Sequence, residues 1–589
     1  MTTFPKLLQE QLLAAFTKAG HSLPDGFQPQ ISQATDSRFG HYQSNAAMVL
    51  AKALRSNPRA LAESVIAEFD GAGLCETPTV AGPGFINFTL TTEAITARIT
   101  PMLADDRCGV AKVDTPRKIV IDFSAPNIAK PMHVGHIRST IIGDCLARVS
   151  RFLGHEVITD NHIGDWGTQF GIILHGWKTI LNEEALDANP SAELLRVYKT
   201  LNDQIKAEDG TETITLCRQE LVKLQQGDEE NLTIWKRCVD LSLNSLANVY
   251  GLLDVSFDHF LGESFYNGAL APLVKKLKAD GIARESEGAI CIFSDGEKSP
   301  GDDPFKIQKD GEWLDVPAMI QKSDGGFLYA TTDLATIDYR AREFKADAIW
   351  YVVGVPQQLH FRQIFDAAIR CGHTDIDFKH VVFGSILGED RKPFKTRSGE
   401  SVELLDVIEE SIDRARKVVE EKNPELTTGE KADIAEIIGI GAVKYSELSQ
   451  NRMTDYVFDW EEMLSLRGNT APYLLNAYVR TRAIFRKLGE DVTDFGTEFE
   501  ITEENEMALL VKLYQFAETV PEVLTDHRPN VLATYLFETA KAFHSFFEAC
   551  PVLRSEGVTR ATRLALCELS SRVLRQGLEL LGLKVTERM

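Results

Sequence analysis

Positive charge is scarce in this sequence. Its 63 Lys and Arg face 86 Asp and Glu, so the formal net charge at pH 7 is −23. That excludes a protein that coats nucleic acid through bulk attraction, and leaves open local basic faces that hold a structured one by shape. Paired cysteines are missing too. The nine cysteines stand singly with no CxxC pair, which argues against a zinc knuckle and fits reduced thiols in the cytoplasm. No window carries the roughly 18 consecutive apolar residues of a membrane helix, so no membrane partner is expected. Residues 1–13 are amphipathic and include Glu10, without the apolar core and small-residue cleavage site of a secretory signal. Short-period repeats and low-complexity tracts are also lacking. What remains is ordinary: 44% hydrophobic and 25% charged residues over 589 positions, enough for several domains.

The most informative run is Pro126-Asn127-Ile128-Ala129-Lys130-Pro131-Met132-His133-Val134-Gly135-His136. It follows the strand-like Ile119-Val120-Ile121 and precedes a helix-like stretch at 137–152. A helix start offers free N–H groups and a positive dipole end, which together favour phosphate. Imidazoles of His133 and His136 can donate to phosphate oxygens there. Gly135 leaves room for a flat base close to the backbone, and Lys130 adds a cation. The run reads as a nucleoside triphosphate cradle.

Periodicity divides the chain. Residues 1–110 mix amphipathic helical runs (6–18, 46–54, 59–69) with strand-like ones (77–80, 85–90), and Gly82-Pro83-Gly84 marks a turn. From 111 to 400, buried strands at 119–123, 156–161, 348–353 and 380–383 alternate with helices. That pattern predicts a doubly wound, parallel, Rossmann-like α/β domain, whose ligands bind at the strand carboxyl ends. A charged helical insertion is expected over about 185–250 and a strand-rich one over about 289–330. A connecting helical region at 401–460 and an all-α domain at 461–589 complete the chain. Residues 489–506 hold eight acids and no base, which predicts a solvated loop.

Ser124-Ala125-Pro126-Asn127 and the residues after it to Thr140, followed by Gly164-Asp165-Trp166-Gly167-Thr168-Gln169-Phe170-Gly171, closely resemble the bacterial arginyl-tRNA synthetase family of class I aminoacyl-tRNA synthetases. His133-Val134-Gly135-His136 stands as the HIGH motif, and the resemblance runs from Phe39 to the C-terminal Met589. It implies ATP, arriving with Mg2+ held mostly by phosphate and water, as a substrate complex. L-arginine and tRNA(Arg) are the other substrates, and the protein is a monomer without tightly bound cofactor or zinc. It further implies that the first step needs tRNA.

The resemblance also assigns roles. Gly388-Glu389-Asp390-Arg391-Lys392-Pro393-Phe394-Lys395-Thr396-Arg397-Ser398-Gly399-Glu400 is similar to a degenerate KMSKS loop, with Phe394 and Arg397 where the motif has lysines. Lys392, Lys395 and Ser398 are then the ATP-binding residues of that loop, beside His133, Gly135 and His136, and Lys130 makes up the missing charge. Arginine recognition falls to Asp122, Ser124, Asn127, His136, Tyr329, Asp333 and Gln358. Carboxylates suit a planar guanidinium, and a helix beginning near Tyr329 would put Asp333 on the same face. Asp333 is equally suited to cap a helix. The tRNA contacts are expected at Phe39, Tyr42 and Asn45 in an elbow-reading domain, and at Tyr473, Tyr478 and Arg480, with Arg482, in an anticodon-binding domain. Tyr473 and Tyr478 also have the spacing of a helix core. Three rivals stand beside this expectation: a synthetase for another amino acid, a paralogue without aminoacylation activity, and a small metabolite nucleotidyltransferase.

Overall fold

A computed structural model describes residues 2–34, 36–207, 210–388, 390–392, 402–489, 492 and 494–589. The N-terminal lobe opens with helix Phe4–Lys18, which buries Leu8, Leu12, Ala15 and Phe16 at helical spacing. It packs with helix Pro58–Ala67 beside a four-stranded antiparallel sheet in the order Ser32–Gln33, Tyr42–Ser44, Phe85–Phe88, Thr79–Ala81. Gly82-Pro83-Gly84 forms the expected turn. A Cβ at Gly84, whose φ is 136°, would stand 2.8 Å from the Pro58 carbonyl oxygen, so only glycine fits.

The central domain is built on a four-stranded parallel sheet in the order Asp377–His380, Ala348–Tyr351, Lys118–Asp122, Glu156–Asp160. Strands on both sides of Lys118–Asp122 arrive by crossovers, so the topological switch point lies at the carboxyl end of that strand. Three of the four strands lie where the apolar runs predict. The fourth is corrected: it ends at His380 instead of beginning there. Val381 still donates to the Tyr351 carbonyl at 2.8 Å, but Phe383 reaches only a single bridge to Gly354. That apolar run is buried beyond the sheet edge, which sequence alone does not distinguish from burial within it.

Helices Glu183–Ala188, Pro190–Lys206, Thr211–Gln225 and Glu229–Leu252 make up the charged insertion. Strands Ala283–Ser286, Ala289–Ile292 and Ala318–Gln321 form a small antiparallel sheet. A separate hairpin joins Lys306–Lys309 to Glu312–Asp315 through Asp310-Gly311, both at positive φ (53° and 87°), as a two-residue hairpin turn requires. From Leu404 onward the described chain is mostly helical, the short strand Tyr456–Val457 apart, and Thr427 with Glu430 caps helix Thr428–Leu448 reciprocally.

Among the described residues the acidic stretch is the expected solvated loop over most of its length, with Asp494, Glu498 and Glu500 exposed, but it is pinned at two points. Glu506 is fully buried, its carboxylate takes a hydrogen bond from Arg563 Nε at 2.6 Å, and Phe495 is buried. One arginine from helix Gly557–Leu580 thus anchors the end of the run. Eight of the nine cysteines are buried. Only Cys371, just after helix Gln358–Arg370, is half-exposed.

Candidate active site

Strand Lys118–Asp122 leads into a turn whose backbone is strained. Ser124, Ala125 and Ala129 sit at φ of 74°, 45° and 63°, a region L-residues other than Asn and Asp rarely occupy. The turn holds because other elements grip its N–H groups. Ser124 donates to Ser139 Oγ (2.8 Å), Ala125 to Asn161 Oδ1 (3.0 Å), Ile128 to the Gly164 carbonyl (3.1 Å) and Ala129 to Ser242 Oγ (3.0 Å). Such over-determination is how a site keeps costly backbone geometry. Helix Gly135–Phe152 follows and closes tightly on the strand end. A Cβ at Gly143 would lie 2.2 Å from the Phe123 ring.

At the helix start the two imidazoles lie 3.9 Å apart, centroid to centroid. His133 N–H donates to His136 Nδ1 and Gly135 N–H donates to His133 Nδ1, both at 3.1 Å. An Nδ1 that accepts carries no proton, so each ring keeps its proton on Nε2 and offers it as a donor. Burial, with His133 alongside, pushes His136 down to about 3. Burial and the nearby Lys130 lower His133. Both rings are therefore neutral donors at pH 7. The Lys130 ammonium rests 4.0 Å over the Tyr198 ring from the helical insertion, which holds it beside the histidines. Lys392 lies in a tight turn whose Gly388 N–H donates to the Lys392 carbonyl at 2.8 Å. Lys395 and Ser398 lie outside the described residues.

Across the strand ends stands a carboxylate cluster. Helix Tyr329–Arg342 begins at Tyr329, with Leu328 as N-cap, so Asp333 is interior to the helix and does not cap it. Tyr329 and Asp333 share a face, and both meet His360. The Tyr329 and His360 rings are 4.8 Å apart, and His360 Nε2 lies 2.5 Å from Asp333 Oδ2. Gln358 heads the exposed end of helix Gln358–Arg370, and Asn127 is exposed beside Gly164.

Glu263 was not foreseen. Burial, reinforced by the charges of Asp165 and Asp333, pushes its carboxyl up to about 7. A half-buried acid beside another acid attracts a cation. Only the acidic residue within Leu261-Gly262-Glu263-Ser264 hinted at it in the sequence. The neighbouring Asp165 is buried and satisfied internally, accepting from Ser264 N–H (2.8 Å) and hydroxyl (2.6 Å).

Several expectations need correction. Asp122 is buried at the end of its strand, and its Oδ2 accepts from Arg340 Nη2 at 2.7 Å. Arg340 bonds Asp160 Oδ2 as well, at 2.8 Å. Asp122 thus spends its charge inside the fold. Ser124 is buried too, its hydroxyl held between Tyr250 and Thr140, each at 2.8 Å. Tyr42 cannot stack on a base: its ring is fully buried and its hydroxyl donates to Glu518 Oε1 at 2.6 Å. Tyr478 is likewise core, its hydroxyl donating to Glu587 at 3.0 Å. Aromatic residues next to amides look alike in a core and on a binding face.

Other expected contacts stand at the surface. Phe39 is 42% exposed, and Arg480 is exposed. Tyr473 and Asn45 are half-buried, Tyr473 against Phe537 and His544. Arg482 is partly tied up by Glu568 and Glu587.

Known proteins align with this arrangement end to end. The model of the class I tRNA synthetase (R) catalytic domain matches residues 98–460, the arginyl tRNA synthetase N terminal domain matches 6–90, and the DALR anticodon binding domain matches 474–589. The arginine–tRNA ligase of Chromobacterium violaceum is 43% identical over 592 residues, covering 100% of both chains. The solved arginyl-tRNA synthetase of Plasmodium falciparum superposes with a TM-score of 0.82 at 27% identity over 100% of both chains. That of Thermus thermophilus shares the fold at a TM-score of 0.80 and 24% identity, over 99% of this chain and 100% of its own. A catalytic-domain match across more than half the sequence, joined to 43% identity along its full length, shows that the chain belongs to the class I arginyl-tRNA synthetase family.

Proposed function

We propose that the chain works as an arginine–tRNA ligase in two steps at this one strand-end site. The arginine carboxylate attacks the α-phosphate of ATP, an arginyl-adenylate forms and pyrophosphate leaves. The arginyl group then passes to the terminal ribose of tRNA(Arg). His133 and His136 donate from Nε2 to phosphate oxygens, helped by Lys130, Lys392, Lys395 and the open backbone at Gly135, with Ser398 in the same loop. Stabilising the transferring phosphoryl group is chiefly a matter of placing such donors. Asp333, Tyr329 and Glu263 take the guanidinium, with Gln358 and Asn127 at the polar end. Mg2+ comes with ATP, bound by phosphate oxygens and water. Phe39 and Arg480 contact tRNA from the N-terminal and helical domains. We further infer a monomer acting in the cytoplasm; no described helix is long and apolar enough to cross a membrane.

One observation carries this reading. A pair of neutral imidazole donors and a group of carboxylates stand on either side of one parallel-sheet switch point. The test is exchange of labelled pyrophosphate into ATP, run with each of the twenty amino acids, with and without tRNA. Exchange with arginine and dependence on tRNA are expected. Exchange driven by another amino acid would overturn the pocket assignment, and none at all would favour a paralogue without aminoacylation activity. Asp333→Ala should raise the KM for arginine about 100-fold, the loss of one desolvated charge pair. An unchanged arginine KM would remove Asp333 from the pocket.

A further inference from the structure

Arg138 lies on the histidine helix two residues beyond His136, yet points away from the site into the protein. It is 1% exposed. Its Nε stands 3.0 Å from Glu447 Oε2, and its Nη1 donates to the Thr454 carbonyl at 3.0 Å. Glu447 is 1% exposed and takes a further hydrogen bond from the Tyr456 hydroxyl. A buried ion pair is poor evidence of stabilisation, because desolvating both charges offsets their attraction. Its specific use has to be sought in what it connects.

It connects the two phosphate-handling elements. Tyr456–Val457 pairs in parallel with Ile386–Leu387, the strand that runs straight into the loop bearing Lys392. Around that pairing, Ser385 N–H donates to Asp455 Oδ1 (2.5 Å) and Gly384 N–H to the Arg452 carbonyl (2.8 Å). A Cβ at Gly384 would stand 2.8 Å from the Thr454 carbonyl oxygen, so the two segments are in closest contact where Arg138 grips one of them. The far end of the loop returns to the histidines themselves: Val134 N–H donates to the Val402 carbonyl (2.9 Å) and Leu404 N–H to the Met132 carbonyl (2.8 Å). Entry and exit of the loop are thus both referenced to the histidine helix, the exit through backbone pairing and the entry through Arg138, Glu447 and Tyr456.

We propose that Arg138, Glu447 and Tyr456 are positioning residues that hold the histidine junction and the lysine-bearing loop at one fixed separation, and so act on the ATP-dependent step. This rests on the reading of His133, His136 and Lys392 as phosphate ligands. A displacement of about 1 Å between groups that must converge on one phosphoryl unit is enough to slow a reaction severely. Arginine recognition is carried by other elements and should not feel it.

The test compares the full-length wild type with Tyr456→Phe and Glu447→Gln in arginine-dependent pyrophosphate exchange with tRNA present. Tyr456→Phe removes one hydroxyl and keeps the ring. It should melt within a few degrees of wild type, lower kcat or raise the KM for ATP by about tenfold, and leave the KM for arginine within about twofold. Glu447→Gln should move the same constants further in the same direction. Wild-type ATP kinetics in a folded Tyr456→Phe, or equal changes in the KM for arginine and for ATP, would overturn the proposal. Tyr456→Phe decides the matter alone if Glu447→Gln does not fold. An inactive wild type would instead sink the functional reading on which the proposal rests.

Discussion

The backbone selects the tautomer of His133 and His136, since two N–H groups leave each ring's proton on Nε2, and burial keeps both rings neutral. The histidine pair with Gly135 at a strand-to-helix junction is local, spanning four residues, and was legible in the sequence; the N–H contacts that set the tautomer were not. Glu263 was not legible, because its raised carboxyl comes from burial within the fold, with Asp165 and Asp333 adding to it from far along the chain. Tyr42 was misread for a related reason: its burial depends on Glu518, 476 residues away. The two aromatics of that first segment should therefore behave oppositely. Phe39→Ala should raise the KM for tRNA about tenfold, the worth of one base–aromatic stack, with little change in melting. Tyr42→Phe should leave the tRNA KM alone and cost about 1 kcal/mol in denaturant unfolding, because it removes one donor from the half-buried Glu518 carboxyl. A raised tRNA KM in Tyr42→Phe would restore it to the binding face.

At the scale of elements, helix Tyr329–Arg342 is the one whose placement matters to the proposed arginine pocket. Tyr329 and Asp333 occupy its first turns, while Arg340 in its last turn crosses to Asp122 and Asp160 at the ends of two adjacent strands. The helix is therefore fixed to the sheet edge by one guanidinium. Arg340→Met would leave two carboxylates buried without a cation, and should cost about 3–5 kcal/mol, seen as a lower denaturant midpoint. A midpoint close to wild type would mean that water reaches the pair. Three of the four parallel strands and the helical C-terminal part were legible, each from a short-range signal, apolar runs and helical spacing, while the Asp310-Gly311 turn went unread inside an insertion expected only to be strand-rich. The ion pairs that set one element against another were not, since Asp122, Asp160 and Arg340 are separated by long stretches of chain.

For the whole molecule, the N-terminal lobe docks on the helical domain through the Tyr42–Glu518 hydrogen bond, the Tyr514 hydroxyl on the Ile95 carbonyl at 2.7 Å, and the Phe4 and Tyr514 rings, 5.7 Å apart. Burial pushes Glu518 up to about 7. A carboxyl with a raised folded pKa loses stabilisation as pH climbs from the unfolded value through the folded one, here from about 4.5 to 7. The buried histidines act in the opposite sense. His136 is pushed down to about 3, and His380, His527 and His544 to about 4, so stability falls as pH drops below about 6.5. Glu518→Gln keeps an acceptor for Tyr42 and removes the titration. Its advantage over wild type in melting temperature should grow between pH 4.5 and 7 and then level off. A constant offset across that range would show that Glu518 does not titrate at the interface.

The cysteine distribution has a practical side. With eight thiols buried, a maleimide dye should attach to the native chain at Cys371 alone, slowly, because burial also raises that thiol. Cys371 caps the helix that carries Gln358 and His360 at its other end. One unmodified gene product thus provides a fluorescent reporter on the helix proposed to face arginine, and titrating arginine into the labelled protein would read that helix without any engineered cysteine.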